Sequence, residues 1–203
     1  MAPNIRKLAE RIARQDDEKA FRQLFEHFYP GLNDFAFYFV KTKANAEEVV
    51  TDVFVKVWQN RKKLTSIVNV KAYLFTITKR EALNYIRNNK LNERLFIQID
   101  DQMKFISKNP EHEYLTNELL LIISNSINNL PEKCRLVFRL VKENGLKYKE
   151  VASMLDITEK AVEMHISKAL KRIKRSLDTY QDKKDPVNIP KIVARLILLI
   201  LLV

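Results

Sequence analysis

The sequence predicts an all-α fold of two small helical domains joined by a linker. Apolar residues recur at helical spacing through nearly the whole chain. Only two of the 203 residues are glycine. This length suggests one or two domains, and each half is long enough to bury a small core.

We expect the first domain to span residues 1–90 and the second residues 114–180. Between them, residues 91–113 lose any lasting period and are predicted to be a linker. Its apolar residues leave two interpretations open, docking on the flanking domains or passage through a partner. The tail, 181–203, ends in an apolar run too short for the ~20 residues that cross a bilayer; it could dock on the second domain, bind a partner or touch a membrane surface.

In the first domain, the spacing predicts a helix stripe over residues 16–40, with a kink or break at Pro30-Gly31. Residues before it are expected to be a frayed or short helical lead-in. The next helix is predicted from Asn45, acting as N-cap, to about Arg61. A polar loop, residues 62–69, then leads to a helix from Val70 to about Asn89, capped by Asn69.

This last helix interleaves aromatic and basic residues. Cations that meet phosphates and rings that stack on exposed bases are typical of nucleic-acid binding. The alternative is that Tyr73, Phe75 and Tyr85 face the core while the charges form an ordinary solvated face.

The positive charge is concentrated rather than spread evenly. The formal net charge is +11. Residues 71–94 and 159–177 each hold six basic and two acidic residues, so these two segments carry most of the excess. This pattern favours two separate polyanion-binding surfaces.

The second domain carries a helix-turn-helix pattern over Tyr148–Leu155 and Thr158–Leu177. Asp156 stands at the turn, where it tolerates a left-handed conformation better than most residues. Before this pair, a helix opening at Pro131 is predicted to run to Asn144 and to end at a Gly145 cap.

With Val162, Ile166 and Leu170 facing inward, polar residues remain for the outer face of the second helix. We expect residues near its start to meet base edges and later cations to meet phosphates. Glu163 suits a cytosine amino group, and Lys160 or Lys168 suits guanine. The predicted DNA-binding residues are Thr158, Lys160, Ala161, Glu163, Met164, Ser167, Lys168 and Lys171.

Two stretches resemble a known family. Residues 46–58 with 70–80 resemble the second conserved region of the extracytoplasmic-function sigma factors of bacterial RNA polymerase, and residues 130–177 resemble their fourth. Glu48 and Thr51 stand where the family often has Asp and Gln, which bears on the polymerase contact. The resemblance implies a sigma factor that binds core RNA polymerase, recognises specific promoters and helps to melt them.

The resemblance also implies roles for named residues. The polymerase would bind the first opening helix through Asp52, Val53, Lys56, Val57 and Gln59. The loop Lys63–Asn69 would form a pocket for an extruded base of the minus-ten element, and the helix-turn-helix would read the minus-thirty-five element. The minus-ten candidates are Lys63, Ser66, Asn69, Lys71, Tyr73, Thr76, Lys79, Arg80, Asn84 and Arg87.

Family membership further suggests an anti-sigma protein as partner, beside core RNA polymerase and promoter DNA, and no small-molecule substrate. The single cysteine, Cys134, excludes an intramolecular disulfide, and three scattered histidines show no ligand spacing. We expect no metal or cofactor and no enzymatic activity, since no phosphate-cradling loop or nucleophile–base set is visible. The charged N-terminus lacks the apolar run of a signal peptide and predicts a cytoplasmic protein.

Two other functions explain part of the pattern. A free-standing helix-turn-helix regulator would use the first domain for dimerisation or sensing and bind duplex DNA without polymerase. An RNA-binding or membrane-surface adaptor would use the basic helices and the apolar tail. The second of these leaves the paired regions unexplained.

Overall fold

The computed structural model describes residues 3–90 and 114–181, and these residues form helices and no strand. The chain divides into two compact units between Asp101 and Gln102. The predicted linker and the apolar tail lie outside the described residues, so their boundaries and roles remain predictions. The described helices include none that is both long and apolar enough to cross a membrane.

The described residues of the first unit, 3–90, form four α-helices and one 3₁₀ helix. The elements are α1 (Ile5–Gln15), α2 (Glu18–Val40), α3 (Lys43–Gln59), the 3₁₀ helix (Arg61–Ser66) and α4 (Val70–Lys90). Helix α2 packs against both α3 and α4, which also pack against each other. Their shared core is mainly apolar, although Thr78 of α4 is also buried; its largest fully buried side chains include Leu24, Leu32, Phe35, Leu74 and Phe75.

Helix α1 is a packed element of the first unit rather than a frayed lead-in. Asn4 caps it through a bond to the Lys7 N–H at 3.1 Å. Leu8 and Ile12 are buried, and the helix packs against the 3₁₀ helix and α2. Burial of this apolar stripe explains why a short helix is stable here, since helices of this length are marginal alone.

Of the kink or break predicted at Pro30, the break does not occur: α2 runs through this residue without interruption. Proline in a helix interior costs about 3 kcal/mol. The neighbouring Phe28 and Leu32 are both buried, and burying each contributes roughly 1.5–3 kcal/mol. Pro30 itself is exposed, so the carbonyl that its missing N–H leaves without a helical partner lies on the side that water can reach.

The predicted start of α3 at Asn45 was also wrong. Thr42 is the N-cap, in extended conformation, and its hydroxyl accepts from the Asn45 N–H at 3.3 Å. Asn45 therefore supplies a backbone donor instead of the capping acceptor. Nothing in the sequence between them disfavours helix, so the earlier cap adds three residues.

The second unit contains α5 (Tyr114–Asn128), α6 (Glu132–Phe138), a π-helical turn (Arg139–Glu143), α7 (Tyr148–Leu155) and α8 (Glu159–Gln181). Helix α8 packs against α5, α6 and α7. It therefore forms the centre of this unit, and one side of it is covered by all three neighbours. It continues to Gln181, beyond the predicted end near Leu177.

Two predicted turns of the second unit are confirmed. Gly145 has φ 60°, and the Leu146 N–H donates to the Leu140 carbonyl at 3.0 Å as in a glycine-capped helix end. Asp156 has φ 55° and ψ 46°, the left-handed conformation expected of it. Its N–H donates to the Ala152 carbonyl, which fixes the tight turn between α7 and α8.

The predicted α-helix to Asn144 instead ends with a wider π turn. The Asn144 N–H donates to the Arg139 carbonyl, five residues back, at 2.9 Å. The Asn144 side-chain amide donates to the same oxygen at 3.0 Å. These two hydrogen bonds to one carbonyl oxygen stabilise the wide turn. They are local contacts that the spacing of hydrophobic residues does not predict.

Candidate nucleic-acid interface

A cleft of about 230 Å³ opens between α3, the 3₁₀ helix and α4. Tyr73 and Ile77 supply its apolar wall, and Lys63 and Arg80 bring positive charge. Tyr73 and Ile77 are one turn apart on α4, whereas Lys63 comes from the 3₁₀ helix. Aromatic surface beside cations is the combination that holds an unstacked base next to its phosphate.

The aromatic rings of α4 were expected either to face the core or to be available to nucleic acid, and the three rings differ in their surroundings. Phe75 is 0% exposed and packs edge-on against Phe35 with ring centroids 5.4 Å apart, so it belongs to the core. Tyr73 is half-buried and lines the cleft. Tyr85 is also half-buried and does not line it.

Most of the predicted minus-ten residues lie on the accessible side of α4 or on the 3₁₀ helix and short turn before it. Asn69 caps α4, since its side-chain oxygen accepts from the Ala72 N–H at 3.1 Å. The hydroxyl of Ser66 donates to the Lys63 carbonyl at 2.8 Å. The exposed members of the set are Lys63, Ser66, Asn69, Thr76, Arg80 and Arg87, and the half-buried ones are Lys71, Tyr73, Lys79 and Asn84.

Lys71 lies away from the cleft. It is close enough to His27 of α2 to lower the pKa of that histidine, although partial burial of the ring is the larger cause. The structure therefore brings Lys63, Tyr73 and Arg80 together but places Lys71 at the junction with α2. Helical geometry gives the same result, because residues 71 and 80 differ by about 180° around α4.

Three cleft residues were missed by the sequence analysis: Asn60, Ile77 and Glu81. Glu81 forms an ion pair with Lys56 across α3 and α4, with Nζ and Oε2 2.5 Å apart. The partners are 25 residues apart in sequence, so only the packing of the two helices brings them together. Ile77 could have been found, since it follows Tyr73 by one helical turn.

The predicted polymerase-binding face needs a correction at two positions. Val53 is 0% exposed and Val57 is 2% exposed, because both belong to the stripe that packs into the core. The valine that faces outward is Val55, 48% exposed. Asp52 and Gln59 are exposed beside it, while Lys56 is exposed but turned toward Glu81.

The 3₁₀ helix is held from two sides. Leu64 is buried at its centre. Arg61 forms an ion pair with Asp16, at the end of α1, that lowers the pKa of that carboxyl mainly through the hydrogen bond. The same guanidinium lies over the Trp58 ring, 4.6 Å from its centroid. These contacts fix the backbone that carries Lys63 and Ser66.

The second candidate surface is the outer face of α8. Val162 and Ile166 are buried as predicted, whereas Leu170 is only half-buried and Ala169 is the buried residue beside it. The hydroxyl of Thr158 caps α8, since Oγ1 accepts a hydrogen bond from the Ala161 N–H at 3.1 Å. Ala161 is half-buried. The remaining predicted DNA-binding residues are all exposed: Lys160, Glu163, Met164, Ser167, Lys168 and Lys171.

Contacts on its inner side fix the rotation of α8. The buried Cys134 thiol donates to the His165 carbonyl at 3.1 Å. Burial, reinforced by Lys133 and Lys168, lowers the pKa of the His165 imidazole. Burial likewise raises the pKa of the Cys134 thiol, so both groups are neutral at pH 7.

Together these features define a helical protein with two candidate nucleic-acid surfaces, the cleft of the first unit and the outer face of α8. Residues 24–91 match the family model of Sigma-70 region 2, and residues 120–173 match that of Sigma-70 region 4. The two matches together span more than half of the chain and occur in the family's order. The chain belongs to the sigma-70 family and is an RNA polymerase sigma factor.

Curated relatives agree with this assignment. The ECF RNA polymerase sigma-E factor of Escherichia coli K12 is 26% identical over 175 residues, covering 82% of this chain and 90% of the relative. The RNA polymerase sigma factor SigZ of Bacillus subtilis is 23% identical over 155 residues, covering 76% and 85%. The prediction of an extracytoplasmic-function sigma factor is confirmed.

A solved structure supports the fold. The sigma factor RpoE of Bartonella quintana, in complex with the anti-sigma factor NepR, matches with a TM-score of 0.51 and 22% identity. The match covers 79% of this chain and 98% of that one. The all-α prediction is confirmed, and the free-standing regulator is not favoured because it leaves the region 2 match unexplained.

Proposed function

We propose that the cleft of the first unit captures an unstacked base of the minus-ten element and so favours the melted promoter. The observation that carries this proposal is the meeting of Tyr73 and Ile77 with Lys63 and Arg80 around one opening. Its 230 Å³ is below the roughly 300–1,000 Å³ of pockets that enclose drug-sized ligands. A single base is a fitting occupant, and its capture offsets the few kcal/mol that unstacking costs.

The outer face of α8 is the proposed reader of the minus-thirty-five element. It is the second helix of a helix-turn-helix, the element that enters the major groove in such motifs. Lys160 lies in its first turn, where base edges are reached, while Lys168 and Lys171 come later, where phosphates are reached. Each domain alone would contact DNA weakly. Because the two are connected, binding by one raises the effective concentration of the other near the promoter.

The polymerase-binding surface is the outer side of α3. The corrected set comprises Asp52, Val55 and Gln59, with Lys56 shared between this side and the cleft. An exposed valine flanked by polar side chains suits a partner surface with a small apolar centre and a polar rim. Val55→Lys is expected to weaken polymerase binding, whereas Leu121→Lys, at an exposed apolar site in the second unit, is the matched control.

The proposed cellular setting is the cytoplasm, where the core polymerase acts. An anti-sigma protein is a further proposed partner, supported by the relative RpoE, which was solved bound to NepR. We propose no catalytic reaction and no small-molecule substrate for the chain. In residues 3–90 and 114–181 no cluster of three metal-ligating side chains occurs.

Reconstitution tests the proposal. The full chain is bound to core RNA polymerase, mixed with duplex promoter DNA, and unpaired thymines are mapped by permanganate. Stoichiometric binding with a reactive patch is the expected result, and core polymerase alone is the control. Duplex binding without any reactive thymine would refute the capture of a base in the cleft.

The residues of the cleft are tested in the same assay. Arg80→Ala is expected to reduce thymine reactivity while leaving polymerase binding intact, because it removes a cation at the opening. Arg22→Ala, at an exposed arginine of α2, is the matched control and is expected to behave as wild type. Equal effects of the two variants would show that the cleft has no special role.

A further inference from the structure

One apolar side chain interrupts the polar outer face of α8. Within the described side chains of this helix, residues 159–179, the large apolar groups are buried or, for Leu170, half-buried, except Met164, which is 59% exposed. Single exposed apolar residues are common on protein surfaces and need no explanation by themselves. The position of Met164 on the helix distinguishes it from such residues.

Met164 lies at the middle of the outward face. Taking the buried Val162 as the reference direction and about 100° per residue, Met164 points roughly 200° away. Lys160 and Lys171 fall at roughly 160° and 180° on the same scale. The methionine is therefore directly opposite the core, one turn after Lys160 and about two turns before Lys171.

This position also puts Met164 in the part of the helix that reaches base edges. It is the sixth residue of α8, which begins at Glu159, and recognition helices meet bases through their N-terminal residues. The cations before and after it, Lys160 and Lys168, are exposed and suited to phosphates or guanine. A thioether has little to offer a phosphate, so its contact must be with an apolar group.

We infer that Met164 is a specificity-determining residue that packs on a thymine methyl group in the major groove of the upstream promoter element. This inference rests on the proposed role of α8. The C5-methyl of thymine is the apolar group that the major groove offers among the four bases. Methionine is unbranched and flexible, so its side chain can follow the methyl group as the helix settles.

The inference predicts a defined preference. A thymine is preferred at one position of the upstream element, and loss of its methyl group costs about four-fold in affinity, the equivalent of burying one methyl group. The flanking positions, read by Lys160 and Glu163, keep their preferences when Met164 is changed, because those side chains bond independently.

The first experiment identifies the position. The full chain with core RNA polymerase selects sites from duplexes with a randomised upstream element, for wild type, Met164→Ala and Leu121→Ala. Leu121 is 61% exposed on α5 and serves as the matched apolar control. Loss of one thymine preference in Met164→Ala alone is the expected result.

The second experiment isolates the methyl group. In the selected duplex that thymine is replaced by deoxyuridine, which removes the methyl and keeps the base pair. Wild type is expected to lose about four-fold in affinity, Met164→Ala to be insensitive, and Met164→Leu to retain part of the effect. The coupling between protein and DNA changes is the measured quantity.

The outcomes distinguish failure of the role of Met164 from failure of the proposed role of α8. Equal sensitivity of wild type and Met164→Ala to deoxyuridine, or selection of no thymine by wild type, overturns the role of Met164 and leaves α8 as the reader. Selection of no upstream sequence at all overturns the proposed function of α8 itself.

Discussion

The cleft of the first unit and the outer face of α8 use similar side chains in different ways. The cleft draws Lys63, Tyr73 and Glu81 from separate places in the chain and encloses them between three elements. The face of α8 comes from one continuous helix and is open along its length. A concave site suits a base removed from its stack, whereas a convex helix suits an intact groove.

The difference lies in what supports each surface. The cleft exists only if α3, the 3₁₀ helix and α4 pack correctly, so mutations in the core disturb it. The face of α8 depends on the rotation of one helix, fixed by Val162, Ile166 and the Cys134 contact. The first surface is therefore expected to be the more sensitive to distant changes.

The largest expected effect comes from truncating one large core side chain in one unit at a time. Phe75→Ala should destabilise the first unit by about 3–5 kcal/mol, since a large cavity replaces a fully buried ring. Phe138, 1% exposed, is the matched position in the second unit. Trp58 is the only tryptophan and lies in the first unit, so its fluorescence during urea unfolding reports that unit.

Phe75→Ala is expected to lower the urea midpoint of Trp58 fluorescence, and Phe138→Ala to leave it unchanged. Circular dichroism should detect both variants. If both substitutions shifted the Trp58 midpoint equally, the two units would unfold as one, and the contrast between independently supported surfaces would be lost.

The next largest effect is expected from a residue that lines the cleft and does not belong to the buried core. Tyr73→Ala should lower the affinity for unpaired promoter DNA by about 1–3 kcal/mol, the contribution of one base–aromatic stack. Binding of single-stranded minus-ten DNA by the polymerase complex measures it. Tyr38→Ala, at another half-buried tyrosine of the same unit, is the control, and an equal loss there would contradict a specific stack.

The outer face of α8 is tested through salt. Replacing Lys168 and Lys171 together with Ala should reduce the slope of log affinity against log salt by about two, because two phosphate contacts are lost. Duplex binding by the polymerase complex is measured from low to physiological salt. Thymine reactivity per bound complex is expected to stay unchanged, which separates this surface from the cleft.

A replacement of the exposed Lys19 and Arg22 of α2 with Ala removes the same charge elsewhere. It should leave the slope as in wild type. An unchanged slope in the Lys168/Lys171 variant would mean that another surface holds the duplex.

The smallest expected effect is a pH dependence of stability in each unit. Burial lowers the pKa of His165 below the ordinary value of 6.5, so the folded state binds fewer protons than the unfolded state below that pH. Stability should fall as pH drops from 7 through 6.5, and it is unaffected by this group above that range. His27 acts in the same direction in the first unit.

Urea unfolding at pH 7.5 and 5.5 measures this effect. His165→Gln should reduce the loss in the second unit, and His27→Gln should reduce the loss in the first. A loss at low pH that neither variant reduces would assign it to other groups.

The same contrast explains how much of each surface could be predicted from the sequence. The accessible residues of α8 follow from helical spacing alone, and the left-handed turn at Asp156 follows from residue type. The cleft could be predicted only in part, because the Lys56–Glu81 pair depends on how two helices pack. Val53 and Val57 were misplaced because a resemblance was followed, although both continue the helical apolar spacing of Val49 and Val50.

The contact between α1 and the 3₁₀ helix has a consequence for the boundaries of the first unit. The match to the region 2 family model begins at residue 24, whereas the helix that packs on the 3₁₀ helix ends at Gln15 and is followed by Asp16, the ionic partner of Arg61. A fragment that begins at residue 24 would remove this packing and release the backbone that carries Lys63. In this protein the segment that matches the family model is shorter than the segment that folds.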